Sequence, residues 1–178
     1  MPLEGKQRIW LTGATSGIGR ALARRLLADG HRVALSARSE SALAELAQGH
    51  PDALPLPLDV SDRAAVARAG EGLAEAFGGL DLALLNAGTC EYLEAGRFNV
   101  DLVERVFAPK FLGAVYCIDA ALPLLRRAAG ADGHADTVFV TSTAAQTPYP
   151  GGAGYNAAKA AEAMLVKMIS DMPLPTPR

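Results

Sequence analysis

Short apolar segments alternate with longer segments of helical periodicity along most of this chain. The apolar segments predict five strands, at 8–11, 32–36, 53–60, 80–85 and 137–141. The segments between and after them predict helices at 17–29, 39–47, 61–77, 100–129 and 153–172. Because strands that alternate with helices form right-handed βαβ units, the pattern indicates an α/β chain with a doubly wound parallel sheet.

Prolines add two constraints to this pattern. Pro55 and Pro57 cannot donate to a hydrogen-bond ladder, so the third predicted strand is expected at an edge of the sheet. An outermost third strand agrees with the strand order 3-2-1-4-5. Pro109 lies inside the long predicted helix and removes a backbone hydrogen bond there, which predicts a kink near residues 105–110.

A cluster of three glycines joins the first predicted strand to the first predicted helix. Gly13, Gly17 and Gly19 belong to the segment 12–19, which reads TGATSGIG. A strand that turns directly into a helix points several N–H groups and the positive end of the helix dipole at one spot, which favours a phosphate. Taken alone, the cluster is equally consistent with a tight connection that binds nothing.

Composition narrows the possible partners and the cellular setting. The chain has 178 residues and a net charge of −2, which favours one domain, expected at 1–172, and provides no charge pattern for nucleic acid. A proline-rich tail follows at 173–178. No uninterrupted apolar run approaches the roughly 20 residues of a membrane span, and the N-terminus has no signal-peptide pattern. We therefore expect a cytoplasmic protein without a membrane partner.

The cysteines and histidines do not predict a metal site. Cys90 and Cys117 lie in or beside apolar sequence without Cys or His at ligand spacing, and are expected to be reduced thiols. His31, His50 and His134 fall in turns or beside strands and are expected to be exposed to solvent.

Five motifs in order make the chain similar to the short-chain dehydrogenase/reductase family. They are the glycine turn 12–19, Asp59-Val60, Asn86-Ala87-Gly88, Ser142, and the segment 155–159, which reads YNAAK. Ser142 precedes Tyr155 by 13 residues, the usual separation in that family. The resemblance covers nearly the whole chain and implies a Rossmann fold that binds NAD(P).

The resemblance also implies a catalytic set of Ser142, Tyr155 and Lys159. Tyr155 and Lys159 are four residues apart and share a helix face. A free tyrosine has a pKa of about 10, but a nearby ammonium favours the phenolate. Ser142 would bind a substrate oxygen while Tyr155 exchanges a proton with it and a nicotinamide exchanges hydride. The expected reaction interconverts a small-molecule carbonyl and a secondary alcohol, although spacing alone would also fit an ordinary surface pair.

Arg38 predicts NADP(H) as the preferred cofactor, with NAD(H) as the alternative. Family members that prefer NAD carry an acid at the end of the second strand, where this chain has Ala37 and then Arg38. A guanidinium can hold a 2′-phosphate through two parallel hydrogen bonds, although a solvated surface arginine is the alternative.

The resemblance extends the predicted cofactor site to other motif residues. Asp59 would contact the adenine unless it is a turn residue before Ser61, and Asn86 would support the pocket or brace the backbone. The residues expected to bind the cofactor are Gly13, Thr15, Ser16, Gly17, Ile18, Gly19, Arg38, Asp59, Val60, Asn86, Ala87, Gly88, Tyr155 and Lys159.

Lys110 departs from the family pattern, which has an asparagine three residues before a glycine, here Gly113. A lysine at this position resembles ketoreductase domains of modular polyketide synthases, but those carry asparagine where this chain has Lys159. A kink at Pro109 would preserve the backbone carbonyl that holds a relay water in the family. Alternatively, a second ammonium near Tyr155 would favour the phenolate further. Lys110 is therefore included in the expected catalytic set.

Only 19 residues follow Lys159, whereas the family continues with a sixth strand, a substrate lid and a seventh strand. The chain is expected to be short at its C-terminus, with an exposed fifth strand unless another subunit or the tail covers it.

Two functions remain open, an oxidoreductase and a nucleotide-binding module with little or no turnover. A homo-oligomer is also expected, because small residues in 157–161 permit close helix contact, although that face could pack on its own sheet.

Overall fold

The computed structural model describes residues 5–94, 97–130 and 134–170. The strands are β1 (Arg8–Thr12), β2 (Arg32–Ala37), β3 (Ala53–Pro57), β4 (Leu82–Leu85) and β5 (Asp136–Phe139). The helices are α1 (Gly17–Ala28), α2 (Glu40–Ala47), α3 (Arg63–Phe77), α4 (Val100–Phe107), α5 (Gly113–Ala129) and α6 (Ala153–Ser170). The predicted end of the last helix at 172 and the tail 173–178 lie outside the described residues.

The strands form one parallel sheet in the order β3-β2-β1-β4-β5, which confirms the predicted doubly wound topology. Thr12 at the end of β1 lies opposite Ser36 of β2, and Leu85 of β4 lies opposite Phe139 of β5. The carboxyl ends of neighbouring strands therefore meet along one edge. β3 is the outermost strand, as its prolines predict, and Pro55 lies opposite Leu35 of β2.

Helices cover both faces of the sheet because side chains alternate along each strand. In β1, Ile9 and Leu11 pack in a core cluster with Leu26 of α1 and Leu43 of α2. Trp10 points to the opposite face, in the cluster formed with α3 and α5. This arrangement explains why the strands read as continuous apolar runs.

Three strands have a boundary that differs from the prediction by two residues or more, and local hydrogen bonds account for two of these differences. β4 begins at Leu82 rather than 80, because the N–H of Leu80 donates to the carbonyl of Leu124 in α5. β3 ends at Pro57 rather than 60, because Asp59 turns the chain by accepting from the N–H of Ser61 at 2.9 Å. β5 is placed at 136–139 rather than 137–141.

The predicted kink at Pro109 takes the form of a π-helical turn, Ala108–Leu112, between α4 and α5. One helix, 100–129, is long and apolar enough to span a membrane by length and composition. Its buried residues Cys117, Ala121 and Leu124 nevertheless pack in the core with Trp10 of the sheet. Packing within the fold therefore accounts for part of the apolar composition of this helix, since 39% of its most apolar window is buried.

The expectation that the three histidines are exposed is wrong for His31. Its side chain is buried, and its Nδ1 accepts a hydrogen bond from the backbone N–H of Gln7 at 3.2 Å. His50 is half-buried and His134 is exposed. The error arises because the chain before β1 covers His31, and this contact is not visible from the sequence around either residue.

Two glycines of the turn are required by close packing against the end of β4. A Cβ on Gly13 would lie 2.8 Å from the Cα of Ala87, and Gly13 also has a φ of +68°. A Cβ on Gly19 would overlap the carbonyl oxygen of Gly13 and lie 2.6 Å from the Nδ2 of Asn86. The first turn of α1 can therefore approach β4 only without side chains at these positions.

Gly19→Ala is expected to lower the free energy of unfolding by about 1–3 kcal/mol, because its methyl group must displace backbone. Gly72→Ala is the matched control, since Gly72 lies inside α3 with open space around its Cα and an alanine there is expected to stabilise by about 0.5–1 kcal/mol. Urea unfolding of both variants measures the difference. Equal stability of the two variants would contradict the packing argument.

Candidate active site

The N-terminus of α1 is left open at the glycine turn. Ser16 is the N-cap residue, but its side chain makes no capping hydrogen bond. By contrast, α2, α3 and α4 are capped by the side chains of Ser39, Asp62 and Asn99. Because the first N–H groups of a helix need acceptors, α1 retains donors that a phosphate could use.

Thr12 and Asn86 hold the glycine turn against β4. The Nδ2 of Asn86 donates to the carbonyl oxygens of Thr12 at 3.2 Å and of Gly13 at 3.1 Å. The hydroxyl oxygen of Thr12 accepts from the N–H groups of Asn86 and Ala87. Asn86 thus braces the backbone, which is one of the two roles expected for it.

A cavity of about 650 Å³ opens at the carboxyl edge of the sheet, between the glycine turn and the start of the π-helical turn. It is large enough for a small-molecule or cofactor site. Eight predicted cofactor residues line it, namely Gly13, Thr15, Ser16, Arg38, Asp59, Val60, Ala87 and Gly88. The lining does not include the other six, Gly17, Ile18, Gly19, Asn86, Tyr155 and Lys159.

Arg38 and Asp59 face each other across one end of this cavity. Arg38 is exposed and directly follows β2, as predicted. Burial alone would raise the pKa of Asp59, but hydrogen bonds from Ser61 and the charge of Arg38 hold it below its ordinary value. Asp59 accepts from both the N–H and the hydroxyl of Ser61, so it is a turn residue that also lines the cavity.

An ion pair on the cavity wall was not foreseen from the sequence. Arg105 of α4 binds both carboxylate oxygens of Glu91, at 2.8 and 3.2 Å. The hydrogen bonds from Arg105 lower the pKa of Glu91. Because the partners are 14 residues apart and Glu91 lies in a loop, no helical or strand spacing signals the pair.

A lysine ties the helix of Tyr155 to the end of β5. The Nζ of Lys159 donates to the carbonyl oxygen of Val140, one residue beyond β5, at 2.6 Å. Ser142 follows two residues later, and its hydroxyl oxygen accepts from the N–H of Ala144 in the 3₁₀ turn Thr143–Ala145. The strand end that carries Ser142 and the helix that carries Tyr155 are therefore joined directly at Lys159.

Lys110 lies buried beside Tyr155. Its Nζ is 4.6 Å from the centre of the Tyr155 ring, a cation–π distance. A Cβ on Gly88 would lie 2.5 Å from this Nζ, so the lysine packs closely on the backbone of the cavity wall. Burial, and to a smaller extent repulsion from Lys159, lowers the pKa of Lys110 to about 8.

Glu162 contacts the candidate site and was not predicted from the sequence motifs. It is 2% exposed, and its Oε2 accepts from the Nζ of Lys159 at 2.5 Å. Burial raises its pKa, while the hydrogen bond from Lys159 and the charges of both lysines act in the opposite direction. The sequence contained a signal for Glu162, since Tyr155, Lys159 and Glu162 follow the spacing i, i+4 and i+7 of one helix face.

The sequence pattern of the short chain dehydrogenase family matches residues 7–174. The chain belongs to this family. It is 36% identical over 180 residues to a cis-1,2-dihydrobenzene-1,2-diol dehydrogenase of Pseudomonas putida, covering 96% of this chain and 62% of the relative. It is 35% identical over 152 residues to an NAD(+)-dependent 2-dehydro-3-deoxy-L-rhamnonate dehydrogenase of a Sphingomonas species, covering 84% and 59%.

The fold of this family member also matches a solved structure. The RhlG/NADP active-site complex of Pseudomonas aeruginosa superposes with a TM-score of 0.86 at 30% identity, over 93% of this chain and 66% of that one. The chain thus spans about three fifths of the length of the two relatives described above. The shared part contains the Rossmann fold.

Lys110→Met is expected to change how stability depends on pH. Folded Lys110 loses its proton near pH 8, whereas in the unfolded chain it keeps it to about 10.5. The unfolded state then binds more protons in this window, so the stability of the unmodified protein rises with pH across it. Methionine removes this rise and is expected to stabilise the protein below about pH 8 by about 1–3 kcal/mol.

Urea unfolding across this pH range measures the effect. Lys167→Met is the control, because Lys167 is exposed on α6 and the same charge is removed outside the cluster. If the free energy of unfolding depends on pH in the same way in the unmodified protein and in Lys110→Met, the lowered pKa of Lys110 is refuted.

Proposed function

We propose that this short-chain dehydrogenase binds NADP(H) and interconverts a carbonyl and a secondary alcohol on a small-molecule substrate. The observation that carries the proposal is the bond from Lys159 to the carbonyl of Val140, which joins the Tyr155 helix to the strand end bearing Ser142. In this family, those three residue types perform carbonyl chemistry together. The proposal is thus supported by a direct contact as well as by motif spacing.

The residues at the carboxyl edge fit a phosphate-bearing dinucleotide. The uncapped N-terminus of α1 offers N–H donors, and the lack of a side chain at Gly13 keeps the turn close to β4. The cavity of about 650 Å³ extends from this turn to Arg38. When bound, the nicotinamide would supply or take up the hydride.

The side chains divide the remaining chemistry among them. The hydroxyl oxygen of Ser142 accepts from Ala144, which orients its proton for donation to a substrate oxygen. Tyr155 would exchange a proton with the same oxygen. Lys110 beside its ring would stabilise the phenolate formed when that proton leaves. Lys159 would add to this only if its ammonium turned from Val140 and Glu162 toward the tyrosine oxygen. The proposal uses the second of the two roles considered for Lys110, an ammonium near the tyrosine.

The names of the relatives divide between NAD(+) and NADP and do not decide the cofactor. The proposal prefers NADP(H) on account of Arg38. Arg38 is exposed at the end of β2 and lines the cavity. Its guanidinium is suited to a 2′-phosphate, and Ala37 brings no carboxylate that would repel one. Asp59 across the cavity accepts both hydrogen bonds from Ser61 at one oxygen, Oδ1.

One observation favours a second candidate, a nucleotide-binding module with little turnover. The ammonium of Lys159 points inward, between the carbonyl of Val140 and the carboxylate of Glu162. If it kept both contacts with cofactor bound, these two acceptors would compete with the ribose and the tyrosine oxygen for its three N–H groups. NADPH binding without turnover of any aldehyde or ketone tested would support this candidate.

The expectations of a cytoplasmic location and of a homo-oligomer belong to this proposal as well. α6 exposes Met164 and Met168, and Ala157 and Ala160 are also exposed on this helix. A second copy of the chain would bury such apolar surface. Light scattering that shows only monomer at working concentration would argue against the oligomer.

Arg38→Ala is expected to weaken NADPH binding about 10- to 100-fold and to leave NADH binding unchanged, because it removes charge-assisted bonds to the 2′-phosphate. Titrations of both nucleotides, followed by the fluorescence of the reduced nicotinamide, measure the affinities. Arg24→Ala, which removes an exposed arginine of α1, should change neither affinity. An equal loss for NADH and NADPH in Arg38→Ala would contradict the cofactor preference.

Tyr155→Phe is expected to reduce turnover at least about 100-fold while NADPH affinity stays within a factor of a few, because the substitution removes the proton-exchanging group and little else. Initial rates across a panel of aldehydes and ketones, with parallel NADPH titrations, measure the two effects. Tyr116→Phe provides a matched control on α5. Undiminished turnover in Tyr155→Phe would exclude this tyrosine as the acid–base group.

A further inference from the structure

Two lysines and one glutamate form a buried charged cluster beside Tyr155. Lys110, Lys159 and Glu162 are 6%, 4% and 2% exposed. Burying an ammonium is costly unless an opposite charge or hydrogen-bond acceptors compensate it. With all three groups ionised, the cluster carries a net charge of +1, the charge that a single lysine would bring. Without the carboxylate, two buried ammonium groups would face each other with a net charge of +2.

Glu162 compensates the two buried ammonium groups in two ways, by binding Lys159 directly and by its charge near Lys110. Its Oε2 binds Lys159 at 2.5 Å, while the carbonyl of Val140 binds the same ammonium at 2.6 Å. The two acceptors therefore fix the end of Lys159 from different elements, α6 and the segment after β5. The carboxylate also favours the charged form of Lys110, against the opposing effects of burial and of Lys159.

We propose that Glu162 is a positioning residue of the Tyr155 site, which anchors Lys159 and supplies the negative charge that allows Lys110 and Lys159 to share one buried cluster. The relevance of this role to catalysis depends on the oxidoreductase function proposed above, whereas the electrostatic role does not. Lys110 and Glu162 are then a matched pair, since the second cation requires the added anion.

The other titratable groups around the cluster do not replace this charge. Tyr155 lies on the same helix, Cys90 in the loop after β4 acts on Lys110, and Cys117 of α5 lines a void of about 10 Å³ together with Glu162. Burial raises the pKa of Cys117 to about 12, so it stays a neutral thiol near neutral pH. The charges that act on Glu162 are those of Lys159 and Lys110.

The test follows the ionisation of Lys110 directly by NMR of protein labelled at lysine. The chain has only four lysines, Lys6, Lys110, Lys159 and Lys167, so the signal that disappears in Lys110→Met identifies its side chain. In Glu162→Gln, which keeps an oxygen acceptor but removes the charge, the titration midpoint of Lys110 is expected to fall by about one pH unit. The control Glu104→Gln removes a carboxylate from the exposed face of α4 and should leave it unchanged.

An unchanged Lys110 midpoint in folded Glu162→Gln would overturn the proposal. If Glu162→Gln does not fold, the double variant Lys110→Met with Glu162→Gln is expected to restore folding, because one cation and one anion have been removed together. A double variant that stays unfolded would also overturn it. Where only structural packing was lost, Lys110→Met would stabilise Glu162→Gln by no more than it stabilises the unmodified protein, and a gain of that size would overturn the proposal.

The outcome is separate from that of the proposed function, because the titration and the folding measurements need no substrate or cofactor. A protein that shows the Lys110 shift but no turnover refutes the oxidoreductase and leaves the charge role of Glu162 supported. If turnover is found, the pH profile of kcat/KM should shift in Glu162→Gln and return toward that of the unmodified protein in the double variant. A profile that does not move would overturn the positioning role.

Discussion

The close approach of the glycine turn to the end of β4 is the contact on which the candidate site depends. Gly19 has no room for a Cβ, because the carbonyl oxygen of Gly13 and the amide of Asn86 occupy that space. Asn86 in turn binds the carbonyl oxygens of Thr12 and Gly13. This packing fixes the direction in which α1 leaves the sheet, so its open N-terminus points along the edge where the cavity lies.

A second attachment places the candidate catalytic helix at the other side of that edge. Lys159 reaches from α6 to the carbonyl of Val140, so a proposed catalytic side chain also contributes to the tertiary structure. Such a bond is costly to bury unless the ammonium is compensated, and Glu162 provides the opposite charge. A structural role and a proposed chemical role therefore fall on the same buried group, which is why substitutions there need controls for folding.

Local rules account for much of what could be predicted. Pro55 and Pro57 placed β3 at the edge because a missing N–H is a property of the residue itself. Pro109 predicted an irregular helix for the same reason, and the irregularity is a π-helical turn. Ser39 caps α2 through the N–H of Ala42, as its position before the helix suggested. In each case the deciding atoms lie within a few residues of one another.

Contacts between distant segments were predicted less well. His31 was expected to be exposed, but the backbone of Gln7, on the segment before β1, covers it. The pairing of Arg105 with Glu91 likewise depends on how a loop folds back onto α4. Glu162 was overlooked although its spacing was visible, because spacing shows which side chains share a helix face but not whether that face is buried.

The sequence by itself determined the family, the strand order and eight of the residues that line the cavity at the carboxyl edge of the sheet. These follow from alternating apolar segments, from glycine and proline stereochemistry and from motif order, all of which are carried by near neighbours along the chain. Only the tertiary structure decided that Lys110 lies over the ring of Tyr155 and that Lys159 and Glu162 are buried together. The physical reason is that burial and electrostatic coupling depend on the distances between separate elements, and these distances exist only once α6 and the π-helical turn have packed against the sheet.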